Sequence, residues 1–172
     1  MLIERPKWRR LAKPAVYAVA GLLGLASFAG TALPAGGPFV GLQGIWGGNG
    51  TLTYASGTKE RLRCRVQYTA ESENSLSQAL RCASDSYKFQ INALYIHQGG
   101  SITGRWDELT MDISGTITGR ASAGHIAGNL HGPGFLAQVN VDTDGSAQTV
   151  TIASEGQEIR LVAIEVRKSS SN

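Results

Sequence analysis

From Leu42 to Lys168 the chain alternates apolar and polar residues with a period of two, interrupted roughly every 8 to 12 residues by Gly, Ser, Asn or Asp. This spacing predicts strands over Leu42–Ala55, Lys59–Thr69, Ser75–Ser84, Tyr87–His97, Ser101–Thr110, Asp112–Ser122, His125–Gly132, Gly134–Thr143, Ala147–Ser154 and Gln157–Lys168. The connections are short, with Ala55–Thr58, Asp144-Gly145 and Glu155-Gly156 as hairpin turns. Strands joined this way pair antiparallel with their neighbours in sequence, and such a meander tends to close because closure removes unpaired edges. The expected class is all-β: an antiparallel up-and-down meander of about 8–10 strands forming a small barrel, with a curved open sheet or a β-sandwich as the alternative.

The same alternation assigns faces. Leu62, Cys64, Val66 and Tyr68 share one side of their strand and should point inward, leaving Arg61, Arg63, Arg65 and Gln67 outside as a solvated basic stripe. Phe89 and Ile91, Ile102 and Trp106, Val139 and Val141, and Ile159 and Leu161 are expected inside on the same reasoning. The last strand is apolar on both sides, with Val162, Ile164 and Val166 on the second, so that face is expected to need cover. Three segments fit G-x-I-x-G, at Gly100–Gly104, Gly115–Gly119 and Gly124–Gly128. Their glycines share parity with the isoleucine. The primary expectation is that missing side chains let the sheet bend or leave room for Trp46 or Trp106; the alternative is the wall of a ligand cavity.

Of 172 residues, 42% are hydrophobic and 17% charged, which suits one domain with a real core rather than a disordered chain. The charge is unevenly placed. Residues 1–13 hold five basic side chains and one acid, and an apolar stretch from Pro14 to Gly30 follows. This order reads as a secretory signal, with cleavage expected after Ala32 and after Ala35 as second choice. The competing reading is an uncleaved membrane anchor, and the Arg9-Arg10 pair resembles a twin-arginine signal. The chain then divides into a signal peptide (1–32), a Gly/Pro leader (33–41), one β-domain (42–168) and a frayed tail (169–172). Cleavage leaves 11 basic residues against 12 acidic ones, from 16 and 13, so the net charge of +3 becomes −1. No basic excess remains for nucleic acid, and membrane association is expected only through an uncleaved signal. The expected location is the periplasm or envelope of a Gram-negative bacterium.

Two cysteines in an exported chain imply one bridge. Cys64 and Cys82 lie equally far from Glu73, so a hairpin centred there sets them opposite each other and pairs Val66 with Leu80. A cross-strand spacing of about 5.5 Å between α-carbons accommodates a disulfide. No metal site is expected: there is no C-x-x-C, and His125 and His131 are too far apart on their strand to share an ion. Nor is there a nucleophile elbow, a P-loop or a dinucleotide fingerprint, and Asp107 and Glu108 point to opposite faces. Neither catalysis nor a cofactor is expected.

Gly44-Ile45-Trp46 resembles the G-x-W of lipocalins and their calycin relatives. The resemblance implies that Trp46 closes one barrel end and that an arginine of the last strand, Arg160 or Arg167, packs across it. The long helix those families carry after the barrel is missing. A second likeness, carried by ERLRCRVQYT, LRCASDSYKF, GSITGRW and SGTITGRAS, resembles small exported proteins of rhizobial alphaproteobacteria that are described as uncharacterised. It implies export and brings no activity. The functional expectation is a non-catalytic envelope β-barrel that binds a small apolar or amphipathic ligand, with Trp46, Trp106, Tyr87 and Phe89 as apolar walls. The alternative is an envelope structural or protein-interaction module with a solid core.

Overall fold

The computed structural model describes residues 36–170. The segment read as an export signal, with both cleavage sites, lies outside the described residues. Ten strands follow one another: β1 (Gly44–Tyr54), β2 (Lys59–Ser72), β3 (Ser75–Ala83), β4 (Lys88–Gln98), β5 (Ser101–Glu108), β6 (Ile113–Ser122), β7 (His125–Gly132), β8 (Phe135–Asp144), β9 (Ala147–Ser154) and β10 (Ile159–Lys168). Each pairs antiparallel with its sequence neighbours, and β1 pairs with β10, so the sheet is a closed barrel. The expected class is observed. The largest difference from the predicted runs, three residues, is at the end of β2, where a bulge between Ala70 and Ser72 lets the hairpin continue to a tight Glu73-Asn74 turn.

Alternation sets the inside. Leu62, Cys64, Val66 and Tyr68 are buried while Arg61, Arg63, Arg65 and Gln67 are exposed. In β10 the expectation is corrected: Val162, Ile164 and Val166 form the buried face, and Leu161 points the other way. The cause is a bulge, since Tyr54 pairs with Ile159 but Thr53 with Leu161, leaving Arg160 as the extra residue. Ile159 and Val162 thus both face inward, and no second apolar face needs cover.

Cys64 and Cys82 are cross-strand partners joined by a disulfide, with Val66 opposite Leu80. Their α-carbons are 4.2 Å apart, nearer the ~4.5 Å of a non-hydrogen-bonded pair than the ~5.5 Å expected. The bridge closes a short loop, and its loss is expected to cost about 3 kcal/mol, lowering Tm by roughly 10 °C. Thermal unfolding of the oxidised and reduced protein checks this; coincident curves would count against it.

Glycine inside the barrel serves packing. Trp106 lies across from Gly115 on β6, and a Cβ at Gly115 would sit 2.7 Å from Trp106 Cζ2 and closer still to the carbonyl oxygen of His131. Gly119 and Gly128 face each other across β6 and β7, where a Cβ on Gly119 would lie 2.5 Å from the Gly128 α-carbon. None of these glycines lines the cavity described below. The packing reading therefore holds over the cavity-wall alternative.

Candidate functional site

The up-and-down order gives the barrel two unlike ends. At one end the β2–β3, β4–β5, β6–β7 and β8–β9 turns meet the segment before β1, and this end is closed. Trp46 is wholly buried there, its Nε1–H donating to the Leu42 carbonyl at 2.7 Å and its ring lying edge-on to Tyr68. Phe39 and Leu42, from the segment preceding the first strand, are buried with it. The cation over Trp46 is Lys168, whose Nζ sits 5.6 Å from the ring centroid and donates to the Gly41 carbonyl at 2.8 Å. Neither Arg160 nor Arg167 takes that place. Arg160 is the bulged residue at the other end of β10, and Arg167 pairs with Gly47 on the outer face.

Above this plug is a cavity of about 600 Å³, within the ~300–1,000 Å³ typical of small-molecule sites. Its walls are inward side chains of β-strands from around the barrel, chiefly Leu, Val, Ile and aromatic residues. Of the residues expected at a ligand site, Trp106, Tyr87 and Phe89 line it and Trp46 does not. Two aromatic pairs stand in the wall: Tyr87 with Phe89, centroids 6.0 Å apart, and Trp106 with Phe135, 5.8 Å apart. The Trp106 Nε1–H is buried and finds no hydrogen-bond partner among the described residues.

The floor carries the buried phenols. Tyr68 donates to Gln148 Oε1 and Tyr95 to Gln78 Oε1, both at 2.9 Å, and Gln148 in turn donates to the Thr143 hydroxyl. Burial pushes both phenols far above their ordinary range. The native state thus holds protons that the unfolded chain releases above about pH 10. Stability contributed by each tyrosine is full below that pH and falls by about 1.4 kcal/mol per pH unit above it. Denaturant midpoints across alkaline pH should show this loss, and Tyr95→Phe should remove about 1.4 kcal/mol per pH unit of it.

The opposite end is the mouth. Tyr87, Met111, Pro133, Phe135, Gln157 and Glu158, from the turns and strand ends gathered there, line the cavity at this point. Leu109, Met111 and Leu136 are exposed around it. Of the carboxylates at this end, Glu108 and Glu158 line the cavity, and Glu60 is hydrogen-bonded to Tyr54, which also lines it. Glu60 accepts from Tyr54, Ser84 and Ser86, and the two serine hydrogen bonds foremost hold its carboxyl below the usual range. Glu108 is only 4% exposed, and burial acts to raise its carboxyl. The backbone N–H groups of Gln90, Thr110 and Met111 outweigh that and keep it below the usual range. Glu158 is exposed at the rim. Burial, followed by the charges nearby, Glu108 and Glu158 among them, raises the Tyr87 phenol, which stays protonated as a donor.

The histidines lie elsewhere. His125 pairs with Asp142 at 2.6 Å and His131 contacts Thr118, both on the exposed surface, while His97 shapes the β4–β5 turn at the closed end. The inward carboxylates were readable by parity, Glu108 with Ile102 and Trp106, Glu60 with Leu62. Parity alone does not mark either as part of a site, because an acid at the end of an apolar stripe reads as its polar boundary.

No family model matches the chain, and no curated protein matches it. Among solved structures, Rv2717c from M. tuberculosis is similar over 77% of this chain and 95% of its own, with TM-score 0.60 and 12% identity. The S-type phycobiliprotein lyase CPES from Guillardia theta is similar over 78% of this chain and 92% of its own, with TM-score 0.51 and 10% identity. Neither comparison bears on the likeness to exported rhizobial proteins. At this identity the likeness concerns the fold alone, a small closed β-barrel of calycin-like form.

Proposed function

We propose that this protein is a non-catalytic carrier, exported to the periplasm or cell envelope, that holds one small apolar or amphipathic molecule inside its barrel. The observation that carries the reading is the cavity of about 600 Å³, apolar in its walls, plugged at one end and lined by turn residues at the other. An apolar void of this size leaves its lining without contact atoms, and a fitting ligand restores them. The alternative, an interaction module with a solid core, has this void against it.

Titration with N-phenyl-1-naphthylamine, a neutral apolar fluorophore, tests the carrier reading. The expected result is saturable enhancement at one probe per chain. A linear, unsaturable signal would refute it. Export rests on the basic and apolar order of residues 1–32, and a mature mass beginning at Leu33 is the outcome expected from the native host.

A further inference from the structure

We infer that the ligand of this cavity is a cationic amphiphile, an aliphatic body seated in the barrel with an ammonium group at the mouth. The inference rests on the carrier reading and adds the charge of the head group. Among the described residues, the charged side chains lining the cavity are Glu108 and Glu158, and no Lys, Arg or His lines it. Glu60 also faces inward at this end, hydrogen-bonded to Tyr54, which lines the cavity. The basic residues of β2, Lys59, Arg61, Arg63 and Arg65, are all on the outer face.

Glu108 gives this arrangement its weight. Its two oxygens accept three backbone N–H bonds, from Gln90 at 2.9 Å, Thr110 at 3.0 Å and Met111 at 2.6 Å. Those amides are neutral, so they hold the carboxylate in its ionised form without cancelling its charge. At 4% exposure, the charge is screened by water less than a surface carboxylate would be. A carboxylate head at the mouth would meet like charge from Glu108 and Glu158, at a loss of affinity, since the basic residues of this end, Lys59, Lys88 and Arg160, are exposed and do not line the cavity. An ammonium head meets opposite charge there, in a cavity whose wall includes the aromatic pair Tyr87 and Phe89, residue types suited to cation–π attraction.

The test compares dodecyltrimethylammonium, dodecanol and dodecanoate as competitors of N-phenyl-1-naphthylamine, below their micellar concentrations, at pH 7 and low salt. The ammonium is expected to bind at least about tenfold tighter than the carboxylate, with the alcohol between them. Glu158→Gln should narrow that ratio several-fold, as should added salt. Because Glu158 is exposed, the variant is expected to fold; its circular dichroism confirms this before the titration. Equal or tighter binding of dodecanoate overturns the charge assignment and leaves the carrier reading standing. If no competitor displaces the probe, dodecanol included, and the probe itself does not saturate, both readings fall.

Discussion

Ala137→Trp is expected to abolish saturable binding of N-phenyl-1-naphthylamine while leaving the barrel folded. Ala137 is inward on β8, flanked across the sheet by Leu130 and Ser154, and lines the cavity. An indole there projects into the void instead of into packed side chains. Steric cost to the fold is therefore expected at the low end of the ~1–3 kcal/mol of an overpacked core. Affinity for the probe should drop by at least about tenfold, equivalent to 1.4 kcal/mol. Circular dichroism and a Tm within a few degrees of the parent confirm folding, and the titration reads binding. Unchanged affinity in a folded variant would mean that the probe, and by extension the ligand, sits outside the barrel.

The largest effect on stability is expected at Gly115, where alanine should cost about 3–4 kcal/mol and valine more. Each neighbour that the new Cβ would meet is fixed. Trp106 Cζ2 at 2.7 Å belongs to a buried indole, and the His131 carbonyl belongs to the backbone of β7. Neither can swing aside as a flexible side chain would, so the sheet itself must shift. Gly47 on β1 is the control, because nothing among the described residues lies within 4 Å of its Cβ position and its side faces solvent. Gly47→Ala should be neutral or slightly stabilising, by up to about 1 kcal/mol, through the entropy of the unfolded chain. Urea unfolding of both variants measures the contrast; equal midpoints would show that Trp106 does not depend on the bare α-carbon beneath it.

The strands were legible because each is buried on one face only, which writes the period of two directly into residues such as Leu62, Cys64, Val66 and Tyr68. The disulfide was legible for a related reason, since hairpin symmetry about Glu73 leaves a single register that keeps those residues inside. What escaped the sequence depended on one irregular residue. With β10 apolar on both sides, nothing in its pattern marks Arg160 as bulged, and the parity of everything after it is then read one step out. The same slip moved the partner of Trp46. A strand with Leu161 inside also carries Arg167 inside, whereas a strand with Val166 inside carries Lys168 toward the closed end. One bulge accounts for both corrections.

The plug was only half visible. Trp46 was recognisable from G-x-W, but Phe39 stands in the Gly/Pro leader without periodicity and Leu42 precedes the strand it was expected to open, so the burial of both follows from the position of the chain across the barrel end. Three residues of the cavity wall, Trp106, Tyr87 and Phe89, were legible by parity, but the size of the cavity was not. Its volume depends on the closure of all ten strands and on which inward side chains meet across the barrel, and both are properties of the closed sheet. The glycines that suggested space are occupied by Trp106 or by a neighbouring strand, and the void lies among larger residues.

The central claim, that the barrel carries a small molecule, is tested most directly by native mass spectrometry of the oxidised protein purified without detergent from its own source. The account predicts one adduct per chain that is released on denaturation and leaves a polypeptide beginning at Leu33. A bare polypeptide mass that stays bare when N-phenyl-1-naphthylamine is added in excess would contradict it.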